Sequence, residues 1–317
     1  MVQMHEAKDS PHPDLDAEEA AHVEERSTGS AKVVHEVVRL QGEEELDRPI
    51  LALMLSGLAA GLAITLSLMS ELFLRARLPD TDWAPLIYLL GYPVGYLIVI
   101  MGRLQLFTES TVTAVLPVAT RPSLGNLGRL ARLWGCVLAG NLVGVTLVSA
   151  LMAGEVIITH EQRIVALDIL AKLEWQDWSK TLMLGIPAGF IMAAIAWALP
   201  NAKGSEFWVI FLLTYVIGLG GFSHVVTGSS QISFLWLSGE VSFQQAWFGF
   251  SLPALIGNII GGSGLFAVLA HGQMRSDLTE GGGDAGMAAR PAGVLQKRSD
   301  GGAGRGRNDT SWKPGST

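Results

Sequence analysis

The stretch 101–118, MGRLQLFTESTVTAVLPV, lies where a membrane-crossing segment should run on without interruption, and it does not. Apolar sequence from about Trp83 reaches Met101, gives way to the polar GRLQLFTEST, and resumes as VTAVLPV. A second break lies at 218–231, GLGGFSHVVTGSSQ, between an apolar run that starts near Phe207 and the segment ISFLWLS. An unsatisfied backbone amide or carbonyl in hydrocarbon is so costly that irregular backbone at that depth must line a cavity or be buried in protein. The half-helix N-termini at such breaks present N–H groups and a partial positive charge, which suits an anion.

Outward from these breaks the chain reads as membrane sequence. A transmembrane helix needs about 20 mostly apolar residues. Continuous runs of that kind cover Ile50–Leu74, about Leu127–Met152, Thr181–Leu199 and roughly Ala246–Ala270. With the two broken segments they give an all-α polytopic membrane protein of six transmembrane helices, the second and fifth broken. Only 16% of the residues are charged, too few for a soluble domain of 317 residues. The third span reads AGNLVGVTL and the sixth IGNIIGGSG, so Gly140, Asn141 and Gly144 match Gly257, Asn258 and Gly261. Spans one to three therefore repeat as spans four to six, and an odd number of crossings inverts the second copy. Inverted three-helix repeats with paired discontinuous helices mark channels and transporters.

The flanks differ from this core. Residues 1–30 are acidic and 273–317 are Gly-rich and basic; both lack the apolar content to offset ordering entropy and read as disordered tails around a 49–272 transporter domain. Between tail and first span, residues 31–48 place Val33, Val34, Val37 and Val38 on one helical face. That pattern fits an amphipathic interfacial helix on the membrane surface or, equally, a short helix packed under the bundle. Arg48, Arg121, Arg129, Arg132, Lys203 and the basic tail fall on one side of a six-span chain, which puts both termini in the cytoplasm. The basic tail then reads as a topology signal or a contact with membrane lipids, not a nucleic-acid site. Cys136 is the lone cysteine, so no intramolecular disulfide or thiol metal cluster is expected. Neither a cofactor motif nor a nucleophile–base–acid set is present, and an enzyme is not expected.

Four ordered segments carry a resemblance: LFTESTVTAV, LARLWGCVLAGNLVG, GLGGFSHVV and IGNIIGG. Together they resemble the formate/nitrite transporter family across about residues 30–272. The resemblance implies a homopentamer of aquaporin-like subunits, each with its own pore for a small monovalent anion, in a bacterial inner (plasma) membrane. It makes His224 the central pore histidine, able to offer a hydrogen bond or proton to a weak-acid anion; imidazole is the side chain that titrates nearest neutral pH. Thr108 becomes the loop threonine facing that histidine, and Asn258 a better pore candidate than Asn141, which would tie helices together. Leu106, Phe107, Tyr92, Tyr96 and Ile217 are expected around the constriction. The sequence also departs from the formate channels and looks like a separate branch. Ser223 replaces the acid before the histidine, Thr227 and Gly228 replace an Ala-Asn pair, and Gly189 stands for a fourth-span asparagine.

Plainer roles stand beside these. Thr108 could be a loop cap, and Tyr92 with Tyr96, four apart on one face, could form a subunit interface. Glu109 is expensive at membrane depth, and Arg103 is its natural partner, so a structural salt bridge between them is expected. Two other functions compete with an anion pore. One is passage of a neutral or cationic small solute; the other is a membrane-bound interaction platform with a vestigial pore.

Overall fold

A computed structural model describes residues 31–171 and 177–273. The expected disordered tails lie outside the described residues, apart from Gln273 at the end of the last helix. In chain order the helices are α1 (Ala31–Asp47), α2 (Ile50–Arg75), α3 (Ala84–Met101), α4 (Phe107–Thr113), α5 (Val115–Thr120), α6 (Leu124–Ala153), α7 (His160–Ala171), α8 (Trp178–Ala198), α9 (Glu206–Leu219), α10 (Val225–Leu237) and α11 (Gln245–Gln273). Among the described residues five helices, α2, α3, α6, α8 and α11, are long and apolar enough to cross a membrane, and α9 is a shorter apolar helix. The fold is all-helical.

Polarity is distributed inside out. Large apolar side chains such as Leu51, Leu55, Val143, Met183, Trp208, Leu212 and Val268 are exposed. Thr65, Ser67, Thr111, Asn141, Ser149, Thr214, Thr227, Ser229, Ser230 and Asn258 are fully or almost fully buried. In water this would leave the outside unfavourably apolar; against lipid tails it costs nothing, and small or hydroxylated residues then let helices approach. The approach is closest in two helix pairs. A Cβ on Gly61 of α2 would fall on the Asn141 carbonyl of α6, and one on Gly189 of α8 would fall on the Asn258 carbonyl of α11. Gly144 and Gly261 meet the partner helix in the same way.

Local signals set the helix starts. Ser123 Oγ accepts the Asn126 N–H at 3.1 Å at the head of α6, and the Asp177 carboxylate accepts the Lys180 N–H at 2.7 Å at the head of α8. The two breaks are shorter than the polar sequence suggested. Helix resumes at Phe107 after residues 102–106, and at Val225 after residues 220–224, so FTEST and VVTGSSQ are helical. Their hydroxyls turn back on their own helix: Ser110 Oγ donates to Phe107 C=O at 2.7 Å, Thr111 Oγ1 to Thr108 C=O at 2.7 Å, and Ser230 Oγ to Thr227 C=O at 2.6 Å. A polar stretch that satisfies itself this way needs no water and can be helical inside the bundle.

Helix α1 packs on the bundle, with Val34, Val38 and Leu46 buried. Gly42 lies against the Thr113 carbonyl. Arg129 on α6 pairs with Glu43 at 3.2 Å and Asp47 at 2.6 Å, and Arg132 donates to the Leu46 carbonyl. Two of the arginines read as a topology signal in the sequence therefore also hold α1.

Candidate functional site

Each break is held by an asparagine from a neighbouring helix, with the same three bonds. Asn141 Oδ1 accepts the Phe107 N–H at 2.9 Å, while its Nδ2 donates to Gln105 C=O at 2.9 Å and Gly57 C=O at 2.8 Å. Asn258 Oδ1 accepts the Val225 N–H at 2.8 Å, and its Nδ2 donates to Ser223 C=O at 2.8 Å and Gly185 C=O at 2.9 Å. One side chain thus satisfies the first amide of a half-helix, a carbonyl of the loop before it and a carbonyl of a third helix. Both asparagines are fully buried. The difference expected between them is absent: Asn258 spends its amide on backbone groups as completely as Asn141 does.

The half-helices point their N-termini at each other through two side chains. Thr108 Oγ1 and His224 Nε2 are 2.8 Å apart, and both residues are buried. His224 is also the N-cap of α10, its Nδ1 accepting the Thr227 N–H at 3.2 Å. A backbone amide can only donate, so Nδ1 of the neutral ring is unprotonated and Nε2 carries the hydrogen. That hydrogen is therefore directed at Thr108 Oγ1. A second proton could enter only at Nδ1 and would displace the cap. The next amides, Thr108 N–H and Val226 N–H, have no acceptor among the described residues.

Around this pair the predicted constriction residues share one buried apolar cluster. Tyr96 meets the imidazole edge-on, ring centres 5.1 Å apart, and its Oη lies 3.0 Å from Tyr92 Oη. Thr227 Oγ1 donates to Tyr96 Oη at 2.7 Å. Both tyrosines face the interior of the subunit, so they do not form an outer face for a neighbouring copy. Leu106 and Ile217 are buried in the same apolar cluster as the tyrosines. Phe107 stacks edge-on against Trp134 of α6 at 5.7 Å. Ser223 is buried and donates its N–H to Leu184 C=O at 3.2 Å.

The expected salt bridge is not formed. Arg103 sits in an exposed left-handed turn with φ of 51°, just after α3 ends, and its charge reaches Glu109 on α4 without forming an ion pair. Glu109, in the first turn of α4, lies within electrostatic reach of Glu45 on α1. Glu45 accepts from Thr113 Oγ1 at 2.7 Å and bonds the Gln105 side chain. Sequence reasoning missed Glu45 and Gln105 because their meeting depends on how α1 docks. It also missed Glu71, although a signal was present: Glu71 is the only charged residue between Ile50 and Leu74.

Among the described residues no group of three or more His, Cys, Asp or Glu side chains could hold a metal ion.

Comparison with known proteins agrees with this geometry. The formate/nitrite transporter family model matches residues 32–272. The chain is 38% identical to the inner membrane protein YfdC of Escherichia coli over 256 residues, covering 81% of this chain and 83% of that one. It is 25% identical to the formate channel FocA of Haemophilus influenzae, covering 68% and 84% respectively. In fold it is similar to a pentameric formate channel with formate bound, at a TM-score of 0.60 and 18% identity, covering 71% of this chain and 97% of that one. A chain of inverted polarity, with two broken helices clamped by matching asparagines and a family match across its whole helical core, belongs to the formate/nitrite transporter family: it is a multi-pass membrane transport protein and not an enzyme.

Proposed function

We propose that the chain conducts a small monovalent weak-acid anion of the formate or nitrite type past His224. The observation that carries this reading is the 2.8 Å contact between Thr108 Oγ1 and His224 Nε2, which joins the two breaks at their N-terminal ends. An arriving anion finds the Thr108 hydroxyl, the imidazole N–H and the amides of Thr108 and Val226 as donors, with two half-helix dipoles behind them. Donors without a full charge bind an anion loosely enough to release it. A ring that has taken a second proton at Nδ1 can pass its Nε2 proton to the anion and return to the neutral form, and the anion then continues as neutral acid. Asn258 acts here as a clamp that aims the His224 loop, and Ser223 lends that clamp its carbonyl. Leu106, Phe107, Tyr92, Tyr96 and Ile217 close the path on either side.

In this reading α9 and α10 together make a fifth, broken span, α3 to α5 the second, and the chain is two inverted three-helix repeats. The paired asparagine clamps and paired glycine contacts support that repeat. Exposed apolar faces support assembly as a homopentamer in an inner membrane. Both termini are cytoplasmic and α1 lies at that surface, beside membrane lipids. The transporter domain spans residues 49–272.

The test is flux in proteoliposomes. Formate and nitrite uptake should be selective over glycerol and ammonium, and His224→Asn should lower it by roughly 10²-fold or more, the usual value of a positioned acid. Equal uptake of glycerol or ammonium would move the reading to a neutral or cationic solute.

A further inference from the structure

Two arginines end the first span, and the fold uses them differently. Helix α2 starts beside α1 and runs away from it, so its last turn lies on the opposite face of the bundle. Arg75 pairs with Asp80 at 2.8 Å and donates to Leu78 C=O at 3.2 Å. Arg77 is exposed, makes no ion pair among the described residues, and folds back on its own helix, Nη1 donating to Phe73 C=O at 2.7 Å. A guanidinium has five N–H groups, so most of its donors are left over. With Phe73, Leu74 and Gln162 of α7, Arg77 lines a recess of about 300 Å³. Gln162 is held by the start of α7. Its Oε1 accepts the Thr159 N–H at 2.9 Å, and its own N–H donates to Thr159 Oγ1 at 3.2 Å. A backbone amide can only donate, which identifies that oxygen and leaves both Nε2 hydrogens of Gln162 unspent. Asp80 is taken by Arg75, and neither it nor Glu161 belongs to the lining.

The recess thus offers side-chain donors only, beside two half-buried apolar side chains. A free inorganic anion would use the donors and leave Phe73 and Leu74 wet. The apolar surface also continues along the span. Leu55, Leu62, Leu66 and Phe73 follow at steps of seven, four and seven residues, which keeps them on one face of α2. Leu55, Leu62 and Leu66 are exposed on that face. We propose that the recess binds an anionic membrane phospholipid. Its phosphodiester sits on Arg77 and Gln162, its glycerol lies against Phe73 and Leu74, and an acyl chain runs along Leu66 and Leu62. The planar fork of arginine suits paired phosphate oxygens, and an arginine just past the end of a span sits at headgroup level. An ethanolamine headgroup would bring an ammonium to a rim without a side-chain acceptor, so the site selects phosphatidylglycerol over phosphatidylethanolamine. The proposal does not depend on what passes His224.

The test is lipid retention by the full chain, stripped of lipid in detergent and given back phosphatidylglycerol or phosphatidylethanolamine. Native mass spectrometry should show phosphatidylglycerol held the more tightly. Arg77→Gln should weaken its retention by roughly 10-fold, the value of one charge-assisted contact. Lys203→Gln, which removes a charge elsewhere, should leave retention unchanged. Without lipid, Arg77→Gln should melt as wild type does, and added phosphatidylglycerol should raise the melting temperature of wild type alone. Wild-type protein that holds no phosphatidylglycerol, or holds both lipids equally, overturns the proposal, and this comparison decides it even where the variant is unstable. An equal loss in Lys203→Gln overturns it in favour of diffuse surface charge. Sodium phosphate that raises the wild-type melting temperature as far as the lipid does overturns it in favour of a free anion.

Discussion

The two broken spans share a clamp and differ in what the clamp aims. At both, a buried asparagine takes the first amide of the resuming helix and two carbonyls from elsewhere. Before α10 the clamp presents His224, which caps the helix and reaches across to Thr108. Before α4 it presents Leu106, which has no side chain to cap with. The second-span loop is instead supported from below by α1, through Glu45 and Gln105. One half supplies chemistry on a self-sufficient loop; the other supplies the partner hydroxyl on a loop that leans on an extra helix. The same clamp geometry thus carries unlike contents at the two breaks, and their meeting makes one asymmetric site.

Breaking the clamps should have the largest effect. Asn258→Ala leaves the Val225 N–H and the Ser223 and Gly185 carbonyls unpaired in a dry interior, at about 1–3 kcal/mol each. Asn141→Ala does the same to Phe107, Gln105 and Gly57. Both variants should fail to yield a folded protein in detergent, or melt far below wild type by circular dichroism. A stable Asn258→Ala protein beside an unstable Asn141→Ala one would end the equivalence of the two halves. Next come the glycine contacts. Gly61→Ala and Gly189→Ala force a methyl onto a partner carbonyl, and the helix pair must part, at about 1–3 kcal/mol. Equal losses for the two, read as detergent melting, would sharpen the parallel.

His224→Asn separates the two duties of the histidine. Asparagine is itself a good N-cap, so thermal stability should fall by no more than about 1 kcal/mol, while transport is lost with the imidazole. His224→Ala should lose both. If the asparagine variant carries anions as wild type does, capping is the whole role of this residue and the asymmetry between the loops is structural only.

Much of this was legible before any coordinates. The apolar runs fixed the helices to within a few residues, because lipid leaves no other way to satisfy a backbone. The Gly-Asn pairs at 140–141 and 257–258 read as marks of a repeat, and both lie where α6 and α11 pack closely on a neighbouring helix. Polar residues in the broken spans were harder. FTEST and VVTGSSQ read as loop, since in sequence a hydroxyl that bonds its own helix looks the same as one that bonds water. The Arg103–Glu109 pair was drawn from proximity in sequence, whereas the exposed turn at Arg103 leaves its charge near Glu109 but short of an ion pair. Asn258 looked like a pore group because a buried amide has four bonding positions, and only the fold reveals that backbone takes three of them. Glu45 and Gln105 meet across 60 positions of chain, a distance no local pattern spans.

The smallest predicted effect concerns that lean of the second-span loop on α1. Burial holds the Glu45 carboxyl above its ordinary value of 4.5, against bonds from Thr113 and Gln105 and the charge of Arg48. A carboxyl raised in the folded state favours that state fully below 4.5, and the benefit is lost as pH rises through the higher folded value. Docking of α1 should therefore loosen as pH rises. Hydrogen exchange of residues 31–47, corrected for intrinsic rates, should show less protection at about pH 8 than at about pH 5. Glu45→Gln keeps an oxygen for Thr113 Oγ1 and carries no charge, so its protection should change less over the same interval. The amides around 220–224, with no acid beneath them, should be indifferent to the substitution. A loss of protection in both loops would mean that α1 supports the whole bundle, not the second-span half alone.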